Sequence, residues 1–231
     1  MPNPQLPLIH GKYFHIYNRG INGCNLFMES KNYAYFLTLY DKYISEIAET
    51  FAWVLMPNHF HFLVQIKTEE QIAFNPRKQV VLEKKAKMIE KQSLISSSDF
   101  DQNEDFTFEK YKPENQFSNL FNAYAQAFNR KYHRTGSLFE HPFHRKEVDN
   151  NEYFRTLILY IHNNPIHHGF CSHPVEYPWS SYITCLSDKK TKLQRDTVIG
   201  WFNNVEEFIS IHEKELDVME LDQWIEIEIT R

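Results

Sequence analysis

The sequence has little glycine and little cysteine. Six glycines among 231 residues exclude collagen-like and other glycine-rich fibrous classes. The three cysteines, Cys24, Cys171 and Cys185, are odd in number and far apart, so we expect neither a disulfide framework nor a structural zinc site. The first residues show neither the basic nor the apolar region of a secretory signal. A reducing, cytoplasmic setting is therefore predicted.

Long hydrophobic runs are also missing. The longest uncharged stretch in the apolar middle of the chain is Thr50–Ile66, and it contains two histidines, an asparagine and a glutamine. It is too short and too polar to cross a bilayer, so no membrane association is expected. The chain is rich in apolar residues, since 42% of its residues are hydrophobic and 16% are aromatic. These values predict one globular, elaborated domain with a large core.

Negative charge dominates overall, which argues against a nucleic-acid-binding protein. The net charge is −5, but residues 201–231 contain only Lys214 and Arg231 against nine acidic side chains and so carry −7. The first 200 residues therefore carry +2. We expect the acidic segment 191–231 to be a packing or regulatory element that does not contact nucleic acid. A local basic surface is predicted from Arg130, Lys131, Arg134, Arg145 and Lys146.

Hydrophobic periodicity predicts an α+β fold. Strands are predicted at 12–19, 51–56, 59–66 and 144–148, and helices at 30–47, 117–132 and 150–164. Ser30 is the expected N-cap of the first helix, and Pro165 is expected to end the last one. This order is that of a ferredoxin-like antiparallel sheet with helices on one face. An insertion at 67–115, with a helical segment near 80–92, and a helical C-terminal extension at 191–231 are added to it.

A His-x-His pair lies on the third predicted strand. Side chains alternate along a strand, so His59 and His61 point to one face and can offer imidazole nitrogens to one divalent ion, while Phe60 and Phe62 point into the core. Alone, the pair is more often two histidines on a half-exposed strand face. A second signal comes from Tyr160 and Asn164, which are four residues apart and hence on one helix face. A tyrosine packing an amphipathic face is the commoner alternative there.

The segment 128–146 interleaves the five basic residues with aromatic ones, which suits contacts to phosphates and stacking on unpaired bases. A solvated basic helix end is an equally good interpretation. The histidines of the 130–170 region have irregular spacing, so we interpret them as surface or phosphate-contacting residues rather than as a metal cluster.

Five motifs in order, HIYNRG, MPNHFHFLV, FNRKYHRTGSLFEHPF, YIHNNPIHHG and YPWSSY, resemble those of the HUH single-tyrosine transposases, in particular the REP-associated branch. The resemblance covers residues 12–66 and 116–182 and implies a catalytic domain at 1–190. It implies that Tyr160 cleaves single-stranded or hairpin DNA and becomes linked to the 5′-phosphate. His59, His61 and Asn164 would bind Mg²⁺ or Mn²⁺, and the five basic residues would bind DNA.

The sequence leaves two further functions open. One is a non-catalytic nucleic-acid-binding module, since the same fold hosts many functions. The other is a metal nuclease that uses activated water and forms no covalent intermediate. Whether the protein is a monomer or a homodimer is not predicted.

Overall fold

The computed structural model describes residues 6–72 and 110–214. Two short 3₁₀ helices, Ile21–Gly23 and Pro174–Glu176, accompany the main elements. The strands and α-helices of the described residues are β1 (Tyr13–Arg19), α1 (Ser30–Ile44), β2 (Ala48–Leu55), β3 (His59–Ile66), α2 (Pro113–Lys131), β4 (His144–Val148), α3 (Asn151–His167), α4 (Tyr182–Cys185), α5 (Arg195–Trp201) and α6 (Val205–His212).

The four strands form one antiparallel sheet in the order β2-β3-β1-β4. With the chain order β1-α1-β2-β3-α2-β4, this is the predicted ferredoxin-like topology, and the fold class is confirmed. The register between β1 and β3 pairs His15 with Leu63 and Tyr17 with His61. The second histidine of the His-x-His motif therefore lies in the middle of the sheet.

Each face of the sheet has its own core. On the first face, Phe60 and Phe62 pack with α1 and α2, and the Tyr40 ring stacks on Phe62 with a centroid separation of 4.3 Å. The two helices of the ferredoxin-like motif thus share one face, as predicted. Helix α3 covers the second face, where Leu63 packs with Leu157 and the helices that follow. Strand β3 is consequently buried on both sides.

Two helix ends differ from the sequence prediction. The N-cap of α1 is Glu29 rather than Ser30, because Asn32 Oδ1 accepts hydrogen bonds from the backbone N–H groups of Met28 and Glu29. Helix α3 does not stop before Pro165 but continues to His167. A proline removes one hydrogen bond and strains the preceding turn, and in this last turn the loss does not end the helix.

The insertion and the C-terminal extension are described in part. The helical segment predicted near 80–92 and the acidic residues from 215 onward lie outside the described residues. Helix α2 begins at Pro113, four residues before its predicted start, with proline in its first turn, where no N–H is needed. Val198, Phe202 and Phe208 of the C-terminal helices are fully buried against α3. Within the described residues no helix has the length and apolar character needed to cross a membrane.

Candidate active site

The four side chains expected at the site, from strand β3 and helix α3, lie together between the sheet and the helix. His59 Nε2 lies 3.0 Å from Asn164 Oδ1. The ring of Tyr160 meets the ring of His61 edge-on, with centroids 5.4 Å apart and an interplanar angle of 88°. The rings of His59 and His61 are 5.2 Å apart. Residues about one hundred positions apart in sequence thus form one polar cluster.

The local structure explains this convergence. Strand alternation turns His59 and His61 toward the second face, while Phe60 and Phe62 enter the first core. A two-residue connection joins β4 to helix α3, and the Asn150 side chain caps the helix by accepting the backbone N–H of Tyr153 at 2.8 Å. The helix then crosses the sheet with the side that carries Tyr160 facing β3.

His59 has an amide oxygen at each of its ring nitrogens. Nδ1 lies 2.8 Å from Asn58 Oδ1 and Nε2 lies 3.0 Å from Asn164 Oδ1. A neutral imidazole has one N–H, so it can donate to one oxygen while its second nitrogen presents a lone pair to the other. A protonated ring would have an N–H for each of the two oxygens. However, burial lowers the pKa of His59 to about 4, although the hydrogen bond to Asn164 acts to raise it. Rotation of an amide, or a cation held between Nε2 and Oδ1, would also resolve this conflict between a ring lone pair and an amide oxygen.

His61 contacts a histidine that the sequence did not single out. Its Nδ1 lies 3.0 Å from His15 Nε2, and both rings are fully buried. His61 Nε2 and His15 Nδ1 are buried without a hydrogen-bond partner among the described residues. Burial lowers the pKa of His15 to about 3, with Lys146 and His144 adding to the effect, and it lowers the pKa of His61 well below its usual value. All these rings are neutral at pH 7.

A metal ion would fit this arrangement. Both Nδ1 atoms have partners, Asn58 Oδ1 for His59 and His15 Nε2 for His61. Metal-binding histidines usually donate their other N–H to such a second group. Of the two Nε2 atoms, that of His61 has no partner among the described residues, and that of His59 faces Asn164 Oδ1, the third candidate ligand. His59 Nε2 and Asn164 Oδ1 are 3.0 Å apart, so these two atoms would be close enough to hold one ion together.

Other combinations of metal ligands are not found among residues 6–72 and 110–214. No group of three or more His, Cys, Asp or Glu side chains there is arranged to hold an ion. The candidate donor set is instead two imidazoles and one amide. Mixed nitrogen and oxygen donors suit Mn²⁺ at least as well as Mg²⁺.

Aromatic rings and one lysine border the polar cluster. The exposed His144 ring stacks on Tyr17 at 4.9 Å, and Tyr17 stacks on His61 at 5.8 Å. The exposed His168 ring lies 5.0 Å from His59. Lys146 is paired with His15 in the sheet register, so its side chain projects on the same face. Lys146 thus places one positive charge near the border of the cluster toward β4, while burial lowers the pKa of His144.

The five basic residues predicted to bind DNA do not form one surface. Arg130 and Lys131 end helix α2, which packs on the opposite face of the sheet from His61. Lys131 is engaged in an ion pair with Glu29, and Arg134 lies over the Phe128 ring at 5.9 Å. On β4, Arg145 pairs with Ile16 and shares that first face. Of the five, only Lys146 lies on the face of the candidate site.

One further histidine of the 130–170 region is not at the surface. His162 is fully buried on the side of α3 that faces the C-terminal helices, where its Nδ1 lies 3.0 Å from His212 Nε2 and its Nε2 lies 2.7 Å from Ser181 Oγ. The interpretation of this residue as surface or phosphate-contacting is wrong. The pair ties α6 to the helix that carries Tyr160.

The candidate site is closed in this structure. Tyr160 has 3% of its surface exposed and His61 has none. The sequence-based expectation that both histidines of the motif point away from packed interior is therefore not met, because α3 covers them. They nevertheless lie in a polar cluster and not among the hydrophobic side chains of the first core.

Comparisons with known proteins identify the class of fold. No profile of a known protein family matches the sequence, and no curated protein matches it. Among solved structures, the chain is similar to a REP-associated tyrosine transposase bound to a REP hairpin, with a TM-score of 0.54 and 15% sequence identity. The match covers 81% of this chain and 87% of that one. At this identity the likeness establishes a shared fold.

Proposed function

We propose that this protein is a DNA strand-cleaving and strand-joining enzyme of the tyrosine transposase type. The observation that carries the proposal is the convergence of Tyr160, His59, His61 and Asn164 in one buried polar cluster. The shared fold with a hairpin-bound transposase supports it. Single-stranded or hairpin DNA is the proposed substrate.

Tyr160 is the proposed nucleophile. Its phenol oxygen attacks a backbone phosphorus, a bond from that phosphorus to the 3′ oxygen breaks, and the enzyme becomes linked to the 5′-phosphate. The proton that the phenol loses is balanced by the one that the leaving 3′ oxygen gains. The reverse attack by a 3′-OH rejoins DNA without an external energy source.

His59, His61 and Asn164 are the proposed ligands of a divalent ion, Mg²⁺ or Mn²⁺. Such an ion would polarise the phosphoryl oxygen and stabilise the charge that develops in the transition state. The chain itself orients these ligands through Asn58 and His15 and excludes water by covering them with α3. Because Tyr160 is closed off, a phosphate requires a displacement of α3 to reach it.

The test is a search for a covalent adduct. Labelled single-stranded oligonucleotides, with and without a hairpin, are incubated with the protein and Mn²⁺ and separated by denaturing electrophoresis. The wild type is expected to give a protein–DNA adduct, and Tyr160→Phe none. Tyr124→Phe is the matched control, because it removes another buried hydroxyl, one that donates to Leu26 O at 2.6 Å on the opposite face of the sheet.

Each alternative predicts a distinct result. His59→Ala and His61→Ala should abolish cleavage while thermal melting shows a folded protein. An adduct that persists in Tyr160→Phe would disprove the assignment of the nucleophile. Cleavage without any adduct would indicate a hydrolytic metal nuclease, and DNA binding without cleavage by the wild type would indicate a binding module.

A further inference from the structure

We propose that His15 is a positioning residue that selects the tautomer of His61. In this assignment His15 Nε2 accepts the Nδ1–H of His61 across the 3.0 Å contact between the two rings. His61 then presents a lone pair, and not a proton, on Nε2. The inference rests on the proposed function for the ion that this lone pair would bind, but the tautomer is a property of the protein alone.

The position of His15 follows from the sheet. It faces Leu63 in the register of β1 and β3, which places it diagonally across from His61 on the same face. Its ring is fully buried and lies between neighbours that hold it in place, with Tyr17 at 4.7 Å and His61 at 5.2 Å, both stacked. Its orientation is therefore fixed before any ligand arrives.

Each of the two possible arrangements leaves one buried N–H without an acceptor among the described residues, and only one of them leaves His61 Nε2 able to bind a cation. If His15 donates instead, His61 carries its proton on Nε2, which is buried without a partner among the described residues. That N–H would have no acceptor and would repel a cation. If His61 donates, the atom without a partner on His61 is a lone pair, which a cation satisfies. The unpartnered Nδ1–H then belongs to His15, away from the ligand-binding nitrogen.

The neighbouring histidine is consistent with this arrangement. Both ring nitrogens of His59 face amide oxygens, Nδ1 that of Asn58 and Nε2 that of Asn164, and with an ion held at Nε2 the proton would lie on Nδ1, where Asn58 Oδ1 accepts it. With His15 as an acceptor, both histidines of the motif adopt the same tautomer. Both Nε2 atoms are then available to one ion.

Two substitutions separate positioning from packing. His15→Leu fills the buried volume with an apolar side chain and removes the acceptor. His15→Gln restores an amide oxygen near the position of Nε2. Since loss of such a second group usually lowers metal affinity about 10- to 100-fold, we expect Mn²⁺ affinity, measured by calorimetry on the DNA-free protein, to fall by that factor in His15→Leu and to be largely restored in His15→Gln.

A control comes from the other buried histidine pair. His212→Leu removes the partner of His162 in the same way but outside the candidate site. It should lower the melting temperature and leave Mn²⁺ affinity unchanged. If His15→Leu retains wild-type Mn²⁺ affinity, or if His15→Gln is as impaired as His15→Leu, His15 only fills space and the inference is wrong.

The tautomer is read directly by ¹⁵N NMR of the imidazole rings in metal-free protein. We expect His61 to be protonated on Nδ1 in the wild type and to lose this preference in His15→Leu. A wild-type His61 protonated on Nε2 would refute the inference. Should the wild type bind no Mn²⁺, the proposed metal site fails, and this measurement still decides the role of His15.

Discussion

Phe208 is the residue whose truncation tests how firmly the C-terminal helices hold the helix that carries Tyr160. Its ring is fully buried, with centroids 4.2 Å from His212, 5.6 Å from Tyr182 and 5.9 Å from His162. Phe208→Ala removes the whole ring from this packing. Truncation of a fully buried phenylalanine usually costs about 3–5 kcal/mol, and we expect a loss of unfolding free energy in this range.

Urea unfolding at 25 °C measures the effect. The midpoint should fall while the slope with denaturant stays the same, since the surface exposed on unfolding hardly changes. Val205→Ala on the same helix is the control, because Val205 is 40% exposed and its truncation should change stability by no more than about 0.5 kcal/mol. DNA cleavage by Phe208→Ala should persist below its melting temperature.

A loss below about 1 kcal/mol would refute this reasoning, because a well-packed ring cannot be removed at so small a cost. It would show that residues 195–212 do not stabilise α3. A truncation before them should then fold and bind DNA as the full chain does. The described packing predicts instead that such a truncation unfolds.

Two further predictions concern charge. Lys146→Ala should weaken single-stranded DNA binding and reduce the slope of the logarithm of the binding constant against the logarithm of salt concentration by about 0.7, because one phosphate contact is lost. Arg130→Ala is the control and should leave this slope unchanged. The opposite pattern would place DNA on the α2 side. Burial lowers the pKa values of His15, His59 and His212 to about 3, 4 and 4. As pH falls below about 6.5, the unfolded chain therefore takes up protons before the folded protein does. The free energy of unfolding should decrease from there toward the folded pKa values. Each of these histidines should cost about 1 kcal/mol between pH 6.5 and 5.5, and a melting temperature that stays constant between pH 7 and 5 would contradict this.

Local patterns predicted the fold well, because alternation and turn residues leave clear signals. Strand β4 has its predicted bounds, and the helix that follows it begins within one residue of its predicted start at 150. The end of α3 was mispredicted, since a proline in the last turn costs less than one in the middle of a helix. The cap of α1 was mispredicted because it depends on the side chain of Asn32 reaching back.

The grouping of side chains at the candidate site was predicted in part. Spacing indicated His59 with His61 and Tyr160 with Asn164, but the 3.0 Å contact with His15 depends on the register between β1 and β3, which no local pattern contains. A sequence signal did exist, because a ferredoxin-like order places these two strands side by side. The basic residues were grouped by sequence proximity, and strand alternation separates Arg145 from Lys146.

The short connection between β4 and α3 is a point about which helix α3 could tilt away from the sheet. Val148 is paired with Tyr13 in the sheet and the helix begins at Asn151, so Asp149 and Asn150 connect the two elements. A tilt of α3 would turn the helix about these two residues. At a rise of about 1.5 Å per residue, Tyr160 lies about 14 Å and Asn164 about 20 Å from the start of the helix. A tilt of about 10° would then move them by about 2.4 and 3.4 Å. Such a swing would withdraw Asn164 from His59 farther than it moves the tyrosine, so admission of a phosphate and assembly of the three ligands would be steps of a single motion.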